Sequence, residues 1–139
     1  VGIEPVVLTV DFNTPNSERP GLIRERLDLV ADDIDAVFAT DDLAAAQVME
    51  WAAERDLRIP DDFKVIGFDG TIAMQHALPA LTTIQQPIAK LARAAVDLLL
   101  NRIASSTTAS SDSKQPSEPR KDPQAPSPIP VRLLPGRTA

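Results

Sequence analysis

Residues 35–69, DAVFATDDLAAAQVMEWAAERDLRIPDDFKVIGFD, decide the reading of the fold. The hydrophobic period changes twice along them. Ala36–Thr40 is a short apolar run that reads as a buried strand, and Asp42 to Arg55 is an Ala-rich stretch with helical spacing. Leu43, Val48, Met49 and Ala52 fall on its inner face, and either Thr40 or Asp41 can cap its first turn. Arg58-Ile59-Pro60-Asp61-Asp62 is a polar connection broken by proline, and Lys64–Asp69 returns to strand character. Apolar strand, helix, apolar strand is the pattern of a parallel sheet covered by helices.

The same alternation extends outward. Pro5-Val6-Val7-Leu8-Thr9-Val10 reads as a strand ended by the turn chemistry of Asp11 to Asn16. Leu22, Ile23, Leu27, Val30 and Ile34 place a helix from about Pro20 to Asp33, with proline suited to its first turn. Downstream, Thr71 to Ala77 is a short helical stretch and Leu81-Thr82-Thr83-Ile84 a further strand. Pro87 opens the strongest helix, with Ile88, Leu91, Ala95, Leu98, Leu99 and Ile103 on one face. Ile129 to Leu134 reads as a closing strand whose proline favours an edge or a strand start. The expected fold class is α/β, a parallel sheet flanked by helices.

Composition bounds the function. The 139 residues carry 14 basic and 20 acidic side chains, a formal charge of −6, with one His and no Cys. Disulfides, thiolate metal sites and cysteine nucleophiles are therefore excluded. A pI near 4.7 argues against this chain itself gripping a phosphate backbone. No apolar run approaches the roughly 18–20 residues of a membrane span, and nothing at the start resembles a secretion signal, so no membrane partner and a cytoplasmic location are expected. Residues 104–128 hold seven Ser and five Pro among 25 residues, without Val, Ile, Leu, Met, Phe or Trp, and read as a disordered insertion. The first residue is Val, and the chain reads as a piece of something longer.

Ligands of open parallel sheets sit beyond the carboxyl ends of the strands. Those ends carry Asp11, then Thr40-Asp41-Asp42, then Asp69. Clustered carboxylates there suit sugar hydroxyls, a magnesium site for phosphoryl transfer, or a carboxylate acid–base pair. Helix capping and turn formation explain the same residues without any ligand. His76 has no partner in any nucleophile motif, and Trp51 lies inside an Ala-rich helix where packing is its ordinary role. Gly67 is a lone strand glycine, and no phosphate-binding loop or nucleophile elbow is present.

Three blocks resemble the lactose/galactose-repressor (LacI/GalR) family of regulators. Asp35 to Ala44 is similar to that family's D-A-[IV]-[FV]-x-x-N-D-x-x-A segment. Ile59 to Asp69 is similar to its I-P-x-D-[IV]-x-[VI]-[VI]-G-[FY]-D run, and Leu81-Thr82-Thr83-Ile84-Gln85-Gln86-Pro87 with the long helix after it to a third block. The resemblance implies the C-terminal lobe of a periplasmic-binding-protein-like (type I) bilobal effector domain, lacking its first strand and helix. It implies residues 1–86 as that lobe, 87–103 as a helix crossing toward the other lobe, 104–128 as an insertion, and 129–139 as closing strand and tail.

By the same resemblance, Asp69 matches an aspartate that hydrogen-bonds effector hydroxyls. Thr40 is read as standing in place of an effector-contacting Asn, followed by Asp41, and Gln86 matches a polar residue at the lobe junction. Ala92 stands where the family commonly has Gly. The implied partners are a sugar or sugar phosphate, operator DNA reached through an N-terminal helix-turn-helix module absent from this chain, and a second copy. The homodimer surface is placed on the helix after Asp41 and around His76 to Pro79. No cofactor, metal or catalytic residue is implied. An exported sugar-binding protein of this fold and a magnesium-dependent phosphoryl-transfer domain using Asp11, Asp41 and Asp69 are the alternatives.

Overall fold

The computed structural model describes residues 4–11, 13–108 and 128–139. Two units separate by their internal packing, residues 1–86 with 132–139, and residues 87–131.

The first unit is built on a sheet of order β1-β2-β3-β4. Its strands are β1 (Ala36–Phe38), β2 (Lys64–Asp69), β3 (Thr82–Gln85) and β4 (Arg132–Leu134). The first three run parallel, with Phe38 beside Ile66 and Asp69 beside Gln85. β4 runs antiparallel to β3, pairing Ile84 with Leu133, so the sheet is mixed rather than wholly parallel. It is an edge strand, and Pro130 sits just ahead of it, where a missing N–H costs no ladder bond. The closing strand begins at Arg132, later than the expected Ile129.

Helices α1 (Arg19–Asp28), α2 (Asp42–Glu54) and α3 (Ile72–Gln75) complete this unit. Pro20 lies in the first turn of α1, as its sequence predicts. The helix stops at Asp28 rather than Asp33, because the chain continues in successive turns, Val30 N–H to Leu27 O and Asp33 N–H to Val30 O. The core is Leu27, Ala39, Ala45, Val48, Trp51, Ala52, Phe63, Val65 and Leu81. Trp51 and Phe63 meet with ring centroids 5.5 Å apart and planes tilted 60°, a favourable edge-on arrangement. The indole Nε1–H donates to Asp28 Oδ1 at 2.7 Å, and the Arg55 guanidinium lies 5.0 Å from the ring. Trp51 thus ties α2 to the end of α1. Ala45, Val48 and Ala52 face the core with it. Leu43, expected inward, is exposed, since it lies about 100° around the helix from Asp42.

Two further expectations change. Residues 5–10 form no strand: they have no ladder partner among the described residues, and Val6, Val7 and Leu8 are exposed. Strand propensity expresses fit to a pleated, half-buried surface, and this segment has none. β1 is consequently an edge, with Phe38 exposed rather than buried. The turn after that segment is present, Asn13 N–H donating to Asp11 Oδ1 at 2.7 Å.

The tail after β4 is more ordered into the sheet than its composition suggests. Thr138 is fully buried. Its Oγ1 donates to Val65 O at 2.6 Å and accepts from Thr82 N–H at 2.9 Å, while its carbonyl accepts from Val65 N–H at 2.7 Å. A side chain on Gly136 would lie 2.3 Å from Ala80 O, so only glycine lets the tail approach this closely.

The second unit contains α4 (Ile88–Thr108). The helix continues through residues 104–108, which the sequence reading assigned to the insertion. The rest of that segment, 109–127, lies outside the described residues. Ile88, Leu91, Leu99 and Ile103 of the expected apolar face are exposed. No helix among the described residues is long and apolar enough to cross a membrane.

Candidate functional site at the carboxyl edge of the sheet

Because β1, β2 and β3 are adjacent and parallel, their carboxyl ends share one edge. At the end of β2, Asp69 has φ 112°, a region that residues with a Cβ avoid. Gly70 follows with φ 74°. It is pressed against β3, where a Cβ would meet Gln85 Cα at 2.7 Å. Gln86, one residue past β3, holds Asp69 twice. Its backbone N–H donates to Asp69 O at 3.2 Å, and its Nε2 donates to Asp69 Oδ1 at 2.6 Å. Among the described residues Asp69 Oδ2 takes no hydrogen bond, and the side chain is half-buried. This is a carboxylate aimed by its neighbours with acceptor capacity left over.

The end of β1 is organised differently. Asp41 has extended backbone and caps α2, its Oδ1 accepting from Ala44 N–H at 2.7 Å. That contact realises the capping alternative. Thr40 is exposed. No hydrogen bond among the described residues joins Thr40 or Asp41 to Asp69. Of the four sequence-predicted residues, Asp69 and Gln86 are brought into direct contact, while Thr40 and Asp41 occupy the neighbouring strand end. Counted from Asp35, the family segment puts its Asn on Asp41 and its Asp on Asp42, one position beyond the placement given above from sequence.

Asp42 stands among the strand-end residues read from sequence but not among the candidate site residues. It is 1% exposed, and it accepts three hydrogen bonds. Thr71 N–H and Thr71 Oγ1 donate to its Oδ2 at 2.6 and 2.8 Å, and Thr83 Oγ1 donates to its Oδ1 at 2.6 Å. A buried carboxyl group is tolerated when its acceptor positions are met in this way. Gly67 makes the room, since a Cβ there would stand 2.5 Å from Asp42 Oδ1 and 2.8 Å from Leu81 Cδ2. A lone glycine inside a strand was the available signal of such a close approach.

Among the described residues no group of three or more His, Cys, Asp or Glu side chains is arranged to hold a metal ion. His76 ends α3 and is exposed. A displaced carboxyl titration belongs to the 58–62 turn. There the Arg58 guanidinium donates to both oxygens of Asp62 at 2.6 Å and draws its carboxyl down to about 2. Asp62 in turn raises the Arg58 value.

With this geometry in hand, the relatives are informative. The family described as "Periplasmic binding protein-like domain" matches residues 5–136. The sucrose operon repressor of Streptococcus mutans is 42% identical over 69 residues, half of this chain and 22% of the repressor. The ribose operon repressor of Halalkalibacterium halodurans is 34% identical over 98 residues, 70% of this chain and 29% of the repressor. The solved complex of the transcriptional regulator CelR with cellobiose superposes with a TM-score of 0.65 at 27% identity, covering 86% of this chain and 32% of that one. The chain thus spans less than a third of the length of these proteins. The chain belongs to the periplasmic binding protein-like domain family, in the form represented by LacI-type transcriptional regulators.

Proposed function

We propose that this chain is the effector-sensing part of a LacI-type transcriptional regulator, binding a sugar or sugar phosphate at the carboxyl edge of the β1–β3 sheet. The observation that carries the reading is Asp69. A residue held at φ 112°, with one carboxylate oxygen clamped by Gln86 and the other available, is built to accept from a hydroxyl. Gln86 is then an orienting residue at the same site, and Thr40 and Asp41 flank it from the neighbouring loop. The sugar-operon repressors among the relatives and the cellobiose complex of a structural neighbour support a carbohydrate effector.

In this reading the protein is a cytoplasmic binding protein rather than an enzyme. Operator DNA is gripped by a separate helix-turn-helix module, and the regulator is a homodimer. Effector controls operator binding because it binds the DNA-competent and DNA-incompetent states with different affinity, the sole way a ligand shifts such an equilibrium. The test uses the complete regulator. Asp69→Ala abolishes the response to sugar and leaves operator affinity in the absence of sugar unchanged. Normal sugar response in that variant removes Asp69 from the site.

A further inference from the structure

The strained end of β2 needs something to hold it, and Gln86 restrains it from one side only. On the other side the next anchored residue is Thr71, whose N–H and hydroxyl both end on Asp42 Oδ2. Between Asp69 and Thr71 lies Gly70, itself at positive φ and packed on Gln85. The three-residue segment carrying the candidate carboxylate is therefore pinned at one end by Gln86 and at the other by Asp42. Asp42 is held in place by Thr83 Oγ1 from β3 and is the first residue of α2.

We propose that Asp42 is a positioning residue for the effector site: through Thr71 it fixes the backbone of residues 69–71, and so the direction in which the Asp69 carboxylate points. It does not touch effector. The inference rests on the effector-site reading for its purpose, but the restraint itself is a property of the fold and is measured without any ligand. Three acceptor contacts on one buried carboxylate, beneath a glycine where any side chain would exclude it, exceed what capping α2 requires. Asp41 already performs that task through Ala44 N–H.

The variants are Asp42→Asn and Thr71→Val in the complete protein. Asn keeps the size of Asp but has one acceptor oxygen and one donor group, so it cannot accept from both threonines. Thr71→Val removes one of the two Thr71 bonds at an exposed position and keeps the backbone bond, which secures a folded variant should Asp42→Asn misfold. Amide hydrogen exchange is the readout. In Asp42→Asn the amides of Gly70, Thr71 and Gln86 exchange at least tenfold faster, while those of Val65 and Thr82, at the opposite ends of the same strands, keep their rates. Thr71→Val shows the same pattern with smaller increases. Unchanged exchange at Thr71 and Gln86, or faster exchange spread evenly over the sheet, overturns the proposal.

Titration with cellobiose, ribose and sucrose is the second arm, with Asp69→Asn beside the two variants. A sugar that binds the unaltered protein binds Asp42→Asn at least tenfold more weakly. Full affinity in Asp69→Asn defeats the effector-site reading and leaves the exchange result to decide the role of Asp42. Loss of binding in Asp69→Asn with flat exchange in Asp42→Asn defeats the positioning role alone.

Discussion

Asp69 combines two properties that rarely coincide without purpose: a backbone conformation suited to glycine and a side chain that the neighbouring strand orients. A non-glycine residue in such a region costs about 1–3 kcal/mol, and persists where its surroundings over-determine it. The strain makes a sharp prediction. Asp69→Ala and Asp69→Gly both lose the carboxylate and its bond to Gln86, but only Ala keeps the Cβ that creates the strain. Glycine's extra chain entropy offsets about 0.5–1 kcal/mol of the relief. Asp69→Gly is therefore expected to be about 1 kcal/mol more stable than Asp69→Ala, reversing the usual order within a strand, as read by paired thermal melts. From sequence, Asp69 is one more Asp-Gly turn candidate; its conformation depends on Gln85 and Gln86, which no local pattern connects to it. The same is true of Asp42, whose partners Thr71 and Thr83 are 29 and 41 residues away.

At the scale of elements, what could be read in advance is what rests on local periodicity. β2 and α2 stand where their apolar spacing places them, because both bury a face against the same core. The segment 5–10 has equal strand character, yet stays unpaired and leaves β1 as an exposed edge. Pairing is a property of two segments. The connection between α2 and β2 carries its own test. Asp62 is drawn to about 2 from an ordinary 3.8, first by the side-chain hydrogen bonds from Arg58 and then by the Arg58 backbone N–H. A carboxyl depressed in the folded state contributes its stability above its ordinary value and loses it as pH falls. The window here runs from about 3.8 down through about 2. The pair is exposed, so its effect on global stability is small. The Asp62 carboxyl carbon is expected to titrate near 2 by NMR, and Arg58→Gln should return its midpoint toward 3.8.

Over the first unit, the parallel order of β1, β2 and β3 is what brings separate strand ends to one edge. The opposite edge is closed by the tail, where Thr138 joins the starts of β2 and β3. The short sequence Pro135 to Ala139 carries no hydrophobic period that could announce this role, since its anchoring is by backbone and one hydroxyl. The central claim is that this fold senses a carbohydrate through Asp69. A ligand present at a hundred times its dissociation constant adds about 2.7 kcal/mol of stability, well within the range of a thermal melt. The direct measurement is a thermal-shift series on the complete protein and its Asp69→Ala variant with sugars and sugar phosphates, cellobiose, ribose and sucrose included. The account predicts at least one ligand that raises the melting temperature of the unaltered protein and leaves the variant unmoved. An equal shift in both proteins, or none from any carbohydrate tested, contradicts it.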